Sequence, residues 1–480
     1  MFSSVFLVLH WSLALLLTAR LMLKRKPIGE SLAWLFVIYA LPLAGAALYY
    51  GFGERRQGDK RIRRLKMLSG KLTQWQSDLV RVAHAPQELG LDLEDPIARF
   101  VEQATGYPPV LVHDWVLLDS FDAVFEALVR SIDEAQQYCH LEFYIWEPGG
   151  IIEEIHQALL RARARGVRVW ILVDSIGSDD FLGSRHWRDL ADAGCEMQVS
   201  MRMRLLGGRW DLRNHRKLAI IDGKVGFTGS MNLVDPDRFK KESGVGRWVD
   251  AMVQLHGAGA HALHGVFLQD WFVEREHEHA DDDSWAVDLV PGPSSKSHNS
   301  AMQVLPSGPG IFSEAIHQVL MMAIYGAQTE LIVSTPYFVP GDAILQAMIS
   351  TAMRGVRVVL ILPRKGDTKI ARFAGASHYA ELLDAGVEIA HFDGGLLHTK
   401  SLTVDGRLSI FGTVNLDMRS LWLNSEVTLL MYDAQFTAQL RNLQMQYLAQ
   451  SEPLVAKDWE QRPRYLRALE NMARLLGPMI

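Results

Sequence analysis

The chain has 480 residues, with 49 Lys and Arg against 55 Asp and Glu, a formal charge of −6. Apolar residues make up 49 % and charged residues 22 %, which excludes a disordered or collagen-like chain and leaves room for two ordinary domains. Two cysteines, Cys139 and Cys195, exclude a disulfide framework and a cysteine-rich metal site; free buried thiols are expected, with one bridge as the alternative.

Charge is unevenly distributed. Residues 1–70 carry eleven basic and three acidic residues, net +8, so the remainder carries −14. A basic foot on a mildly acidic body argues against nucleic-acid binding, which needs a basic working face, and suits an anionic membrane surface. Residues 5–23 are apolar with one charge, Arg20, and residues 31–52 have none. At about 1.5 Å per residue each is long enough to cross a hydrocarbon core of roughly 30 Å. The first lacks the basic start and small-residue cleavage site of a signal peptide. Residues 1–53 are therefore expected to form a two-helix transmembrane hairpin, followed by a basic juxtamembrane stretch over 54–110. Pro42 and Gly45 interrupt the second segment and leave a shallow, non-crossing hairpin as the alternative. Lys24, Arg25 and Lys26 lie between the segments, and Arg55, Arg56, Lys60, Arg61, Arg63, Arg64 and Lys66 lie after them. Two crossings put these clusters on opposite sides. The larger one places the body in the cytoplasm by the positive-inside rule.

The body repeats itself. RARARGVRVWILVD at 161–174 parallels STAMRGVRVVLILP at 350–363, each a helical stretch running into an apolar, β-branched strand. ADAGCEM at 191–197 matches LDAGVEI at 383–389, and FYIWEPG at 143–149 parallels PYFVPG at 336–341. Strands and helices that alternate in both copies predict an α/β fold of two homologous halves, 111–275 and 301–456, about a pseudo-two-fold axis with a shared site. His256, His261 and His264 are placed on one helix with structural roles. Residues 276–300 read as an exposed linker; His277 and His279 beside Asp281, Asp282 and Asp283 belong to a solvated charge run rather than a metal tract. Residues 457–480 read as an amphipathic helix, either interfacial or docked.

Each half carries His-x-Lys-x4-Asp: His215, Lys217 and Asp222 in NHRKLAIID, and His398, Lys400 and Asp405 in LHTKSLTVD. Gly229, Ser230 and Asn232 follow His215 at offsets of 14, 15 and 17, the offsets at which Gly412, Thr413 and Asn415 follow His398. The apolar run after each histidine is a buried strand, on which His and Lys two apart share a face. An unpaired ammonium is costly to bury, so two such pairs at equivalent positions point to function rather than packing. Ser230, Asn232, Thr413 and Asn415 are expected to offer donors to phosphate oxygens. Asp222 and Asp405 stay open. Each precedes a glycine in a hairpin turn, so a structural role stands beside a catalytic one, and pairing with the motif lysine would satisfy both. These residues alone argue for a membrane-anchored phosphoryl-transfer enzyme.

The paired motifs resemble those of the phospholipase D superfamily. With FYIWEPGG, NHRK…GSMNLVDP, TPYFVP, GGLLHTKS…GTVNLDMRSLWLN and the two N-terminal segments, the chain resembles the two-span bacterial cardiolipin synthases over essentially its full length. That resemblance implies transfer of a phosphatidyl group from one phosphatidylglycerol to another, giving cardiolipin and glycerol. It implies His215 as nucleophile and His398 as acid/base, although the near-symmetric halves leave their order open. It also implies an orienting acid just under thirty residues beyond each histidine: Glu242, 27 after His215, and Glu426, 28 after His398. A surface role is the alternative for Glu242. Phosphatidylglycerol as donor and acceptor and membrane lipids are the expected partners, with no nucleic acid. No cofactor and no metal are expected, because two lysines stand where a metal would offset phosphate charge. A bacterial inner-membrane, multi-pass location with a cytoplasmic body follows. Residues 201–206 and Trp210, apolar and basic, are expected to sit against lipid. A phospholipase D-type hydrolase or another phosphatidyltransferase would use the same residues; a nuclease of the superfamily and a non-catalytic scaffold fit the sequence less well.

Overall fold

A computed structural model describes residues 2–24, 28–41, 43–54, 57–82, 95–112, 114–202, 209–275, 300–310 and 314–475. It divides into two compact units, residues 1–63 with 203–212, and residues 64–202 with 213–480.

In the larger unit the first half forms a seven-stranded sheet in the order Trp115–Leu118, Met252–His256, Val225–Gly229, Lys217–Ile221, Tyr138–Phe143, Arg168–Asp174, Glu196–Ser200. The second half repeats that order with Ser300–Ser307, Glu426–Tyr432, Leu408–Gly412, Ser401–Val404, Glu330–Ser334, Arg357–Pro363 and Glu388–Phe392, and adds Val110–Val112 and Ser451–Pro453 at its edges. The expected α/β repeat is present strand for strand.

Alternation along the motif strand divides the core. Leu218 and Ile220 face a cluster shared by both halves, while Ala219 and Ile221 face the outer cluster of the first half. Helices Phe121–Glu134 and Ile152–Ala164 supply that outer layer, and Ala315–Gly326 and Asp342–Met353 supply the equivalent layer of the second half. Ala258–Glu274 and Ala434–Ala449 contribute to the shared core, where Trp170 and Trp271 of the first half meet Val304, Ile332 and Phe436 of the second. Ala258–Glu274 is buried on nearly every side, as a helix that is apolar all round must be. His256 ends a strand and does not join that helix, a correction to the expectation; His261 and His264 do lie on it. His264 Nε2 sits 3.0 Å from His140 Nδ1, which gives it a structural partner.

Residues ahead of the first half are built into the second. Val110–Val112 pairs antiparallel with Ser300–Met302, and all three side chains are buried, worth about 1.5–3 kcal/mol for each large apolar group. Helix Pro96–Thr105 is capped by Asp95, which accepts from the Ile97 and Ala98 amides at 2.9 and 3.1 Å. It packs Val101 into the second half's outer core. Helix Arg464–Leu475 docks through Ala473 on Val339, Ala371 and Ala374, and leaves Tyr465, Leu469, Met472 and Leu475 exposed. Cys139 and Cys195 are free and buried.

In the smaller unit the second apolar segment is not one continuous helix. Phe2–Met22 is a single helix, but residues 31–52 divide between Ile28–Ala40 and Ala44–Phe52. Proline donates no amide and biases the residue before it out of the helical region, and Leu43 adopts φ 58°. Among the described residues, only Phe2–Met22 contains an apolar window long enough to cross a membrane. Ile28–Ala40, at 13 residues, covers about 20 Å of a core of roughly 30 Å. Arg25, Lys26, Pro42, Arg55, Arg56, residues 203–208, the linker 276–299 with His277, His279 and its aspartates, and residues 476–480 lie outside the described residues.

Candidate active site

The two motif histidines open onto one cavity of about 360 Å³, lined from the first half by His215, Asn232 and Trp248 and from the second by His398, Asn415 and Arg419, while Lys217 and Lys400 are buried behind that lining. The halves are stitched across it. The amide of His215 donates to Ser425 O at 2.9 Å, and that of Ser425 to Arg213 O at 2.8 Å. Equivalently, Leu396–Leu397 pairs with Trp248–Val249, and the His398 amide donates to Val249 O at 2.8 Å. Each motif histidine is thereby held beside a carboxylate of the opposite half. His215 Nδ1 is 2.9 Å from Glu426 Oε2, and His398 Nδ1 is 2.7 Å from Asp250 Oδ1. A carboxylate on Nδ1 fixes the ring and leaves Nε2 for chemistry. Lys217 Nζ donates to His215 O at 2.7 Å, and Lys400 Nζ to His398 O at 2.6 Å.

Burial governs the protonation states. It pushes both His215 and His398 down to about 4 against the pull of Glu426 and Asp250, with the lysine charges adding to the shift. Both imidazoles are therefore neutral near pH 7. Burial also pushes Lys217 down to about 8 and Lys400 down to about 7, although Glu426 and Asp250 favour both ammonium charges. Burial disfavours the Asp250 charge, but His398, Lys400 and the Ser230 hydroxyl overcome it and hold the acid at about 2.

Three sequence expectations are corrected. Asp222 and Asp405 do not reach the motif lysines and do not line the cavity. They sit in the turns beyond the motif strands at φ 53° and 51°. Asp222 accepts from the backbone amides of Gln136, Gln137 and Tyr138 at 2.8–2.9 Å. Asp405 accepts from those of Gln328, Thr329 and Glu330. Each clamps the start of the neighbouring strand. Ser230 and Thr413 do not line the cavity either. Thr413 Oγ1 donates to Glu426 Oε2 at 2.5 Å, and Ser230 Oγ contacts the Ala251 backbone at 3.1–3.2 Å beside Asp250. Both hydroxyls support the orienting acids instead of a phosphate. Glu242 is exposed in a short 3-10 turn, Lys241–Ser243; Asp250 stands where it was expected. Asn232 and Asn415 do line the cavity.

Asp250 lies 35 residues after His215, against 28 for Glu426 after His398. Those seven extra residues include the turn that carries Glu242, so a fixed offset misplaces the acid. The available signal was the repeat: WVDAMVQL at 248–255 aligns with NSEVTLLM at 424–431, with an acid two residues into each. Sequence reading also missed Tyr144, whose ring packs edge-on to His215 at 4.9 Å, and the network in which Asp367 accepts from Lys240 Nζ at 2.8 Å and Tyr337 Oη at 2.6 Å. Among the described residues, Glu153, His156 and His186 bring ligand atoms within 4.8 Å of one another; none of them lines the cavity.

The family profile described as cardiolipin synthase, PLD-like domain, matches residues 128–243 and 320–446. Cardiolipin synthase A of Yersinia pseudotuberculosis serotype O:1b is 39 % identical over 474 residues, 98 % of this chain and 97 % of that one. Cardiolipin synthase A of Yersinia pestis matches to the same extent. The solved structure of phosphatidylserine synthase from Haemophilus influenzae superposes with a TM-score of 0.58 at 17 % identity, over 80 % of this chain and 100 % of that one, a likeness of fold. The chain belongs to the cardiolipin synthase family of enzymes.

Proposed function

We propose that the enzyme joins two phosphatidylglycerol molecules into cardiolipin and glycerol through a phosphohistidine on His215. The observation that carries this reading is the crossed pair of His–carboxylate dyads, His215–Glu426 and His398–Asp250, on one cavity. Nε2 of neutral His215 attacks phosphorus in line, and the bond from phosphorus to the headgroup glycerol oxygen breaks. His398 carries the proton that this oxygen takes up, a state favoured by Asp250 and by the bound diester anion. Glycerol departs. His398, again neutral, accepts the proton of the second lipid's glycerol hydroxyl, whose oxygen displaces Nε2 and regenerates His215. Lys217 and Lys400, with Asn232 and Asn415, hold the non-bridging oxygens and offset the charge that develops on them.

The same reading places residues 1–54 in the inner membrane of a bacterium and the catalytic body in the cytoplasm. Val5, Leu7, Val8, Leu9, Leu15 and Leu16 are exposed, an apolar surface that suits lipid rather than water.

Reconstitution in vesicles of phosphatidylglycerol alone tests the reaction. Cardiolipin and glycerol are the expected products, and labelled glycerol should exchange into phosphatidylglycerol. Phosphatidic acid as the main product would make the enzyme a hydrolase. Cardiolipin formation without glycerol exchange would remove the covalent intermediate.

A further inference from the structure

We propose that residues 28–54 form a re-entrant hairpin that enters and leaves the bilayer on one side, with Phe2–Met22 as the crossing helix of this region; the proposal rests on the membrane anchoring inferred above. The deciding observation is where the third helix ends. Glu54, just beyond Ala44–Phe52, is buried and held by Arg20 Nε and Nη2 at 2.6 and 2.9 Å and by Lys24 Nζ at 2.7 Å. Arg20 and Lys24 mark the C-terminal end of Phe2–Met22. Had residues 31–52 crossed as one helix, Glu54 would emerge near Val5, about 22 Å away along the first helix.

The intervening contacts trace the turn. Ile28–Ala40 climbs back along the first helix, so that Tyr39 Oη meets Thr18 Oγ1 at 3.0 Å and the Tyr39 ring lies 5.7 Å from Trp11, halfway up. The chain then reverses. Gly45 packs so closely on the ascending helix that a Cβ there would lie 2.2 Å from Val37 O. On the way down Tyr49 meets Trp34, ring to ring at 5.4 Å. The descending helix has 9 residues, about 14 Å, which returns it to the level of Arg20. Around the reversal the amides of Leu41, Gly45 and Ala47 donate to Val37, Leu41 and Leu43 carbonyls at 2.8–3.1 Å, and Pro42 has no amide to satisfy. Those three donors are spent internally, as hydrocarbon surroundings require.

Charge placement agrees. Among the described residues between Val5 and Glu54 the charged ones are Arg20, Lys24, Glu30 and Glu54, and all belong to the end where the first helix stops, the second starts and the third finishes. Leu9, Phe36 and Leu41, towards the other end, are exposed and apolar. At the charged foot Trp210 donates its amide to Gly51 O at 3.0 Å and packs edge-on to Phe52 at 5.5 Å, a position that suits an interfacial tryptophan. Two crossings would split the basic clusters 24–26 and 55–66 between opposite faces. A re-entrant hairpin puts both on one face, and the positive-inside rule is then obeyed by both.

Single cysteines in the full chain test this with a membrane-impermeant maleimide, applied to spheroplasts and to inverted membrane vesicles. The parent chain, whose two cysteines are buried, is the control. Pro27→Cys and Gln57→Cys should both label in inverted vesicles and not in spheroplasts, while Ser3→Cys shows the reverse. Leu41→Cys should label from neither side until detergent is added. Labelling of Pro27→Cys and Gln57→Cys from opposite sides would establish a second crossing and overturn the proposal. Labelling of Leu41→Cys without detergent would show that the hairpin does not insert, and would also overturn it. Cardiolipin formation in the same membranes separates the two readings. Opposite-side labelling in variants that still make cardiolipin leaves the function standing. A parent chain that makes none refutes the function whatever the labelling shows.

Discussion

The two halves bring the same motif to the cavity and support it with different residues. His215 is held by Glu426, which is itself bonded by Thr413, and has Tyr144 at its edge; His398 is held by Asp250, one methylene shorter, with Ser230 nearby and the Trp248 ring centred 4.5 Å away. Residue type and chain offset differ between the two acids. What is common is placement: each acid stands at or just before the strand that follows the motif hairpin, Glu426–Tyr432 or Met252–His256. Each also serves the histidine of the other half. The catalytic unit is thus the cross between the halves, and neither half alone contains a complete dyad.

The strongest way to break this comparison is to remove either histidine. His215→Ala and His398→Ala should each lower the rate of cardiolipin formation by about a thousandfold or more, and the double variant should be little worse than the poorer single one, as for groups that act together. A single variant with near-native turnover would mean that one half suffices. Glu426→Gln and Asp250→Asn come next, at about a hundred- to ten-thousandfold, the range set by losing the carboxylate behind a catalytic imidazole. If only one of the two matters, the halves are less equivalent than their geometry.

The lysines sharpen the comparison through pH. Both have depressed pKa values, about 7 for Lys400 and about 8 for Lys217, so rising pH discharges Lys400 first and weakens its hold on the diester. kcat/KM, which reports the free enzyme, should fall on the alkaline side from about pH 7, while kcat holds to higher pH because the bound anion raises both values. In Lys400→Arg, whose guanidinium stays charged, the limb that begins near pH 7 should disappear whatever the absolute rate. The histidines act on stability in the acid range. Their folded value of about 4 lies below the ordinary 6.5, so the unfolded chain binds more protons between these values. Thermal stability should fall as pH drops from 6.5 towards 4, and His398→Gln should flatten that slope.

Much of this was legible in the sequence because it depends on local pattern. The alternation around Leu218 and Ile220, the turn glycines and the duplicated motif fix strands, hairpins and halves. For the apolar run at 31–52, length and hydropathy do not show its division between two helices, and the salt bridges from Arg20 and Lys24 to Glu54 depend on contacts across the unit. Exchange of acids between halves was hidden for the same reason, since an offset along one half says nothing about which histidine an acid will face. The motif aspartates stayed open for a different reason. Conserving their spacing in both copies is equally well explained by a turn that must clamp three amides. Asp222→Ala and Asp405→Ala should therefore lower stability by about 1–3 kcal/mol through unsatisfied amides, seen as a reduced Tm, while kcat stays within about threefold.

The smallest expected effect is at Glu242, and it discriminates between two ways of pairing the repeat. Counted along the chain, Glu242 is the counterpart of Glu426; matched by structure, that counterpart is Asp250. Glu242 is exposed beside Lys240 and Lys241 in a short turn, and a surface charge of this kind contributes little. Glu242→Gln should leave turnover within about twofold of the parent, under conditions in which Asp250→Asn loses at least a hundredfold. The matched pair removes one negative charge from positions only eight residues apart, so a general response to net charge would affect both alike. A large loss in Glu242→Gln with little in Asp250→Asn would return the acid to the fixed offset, and the crossed dyads would then describe packing and not catalysis.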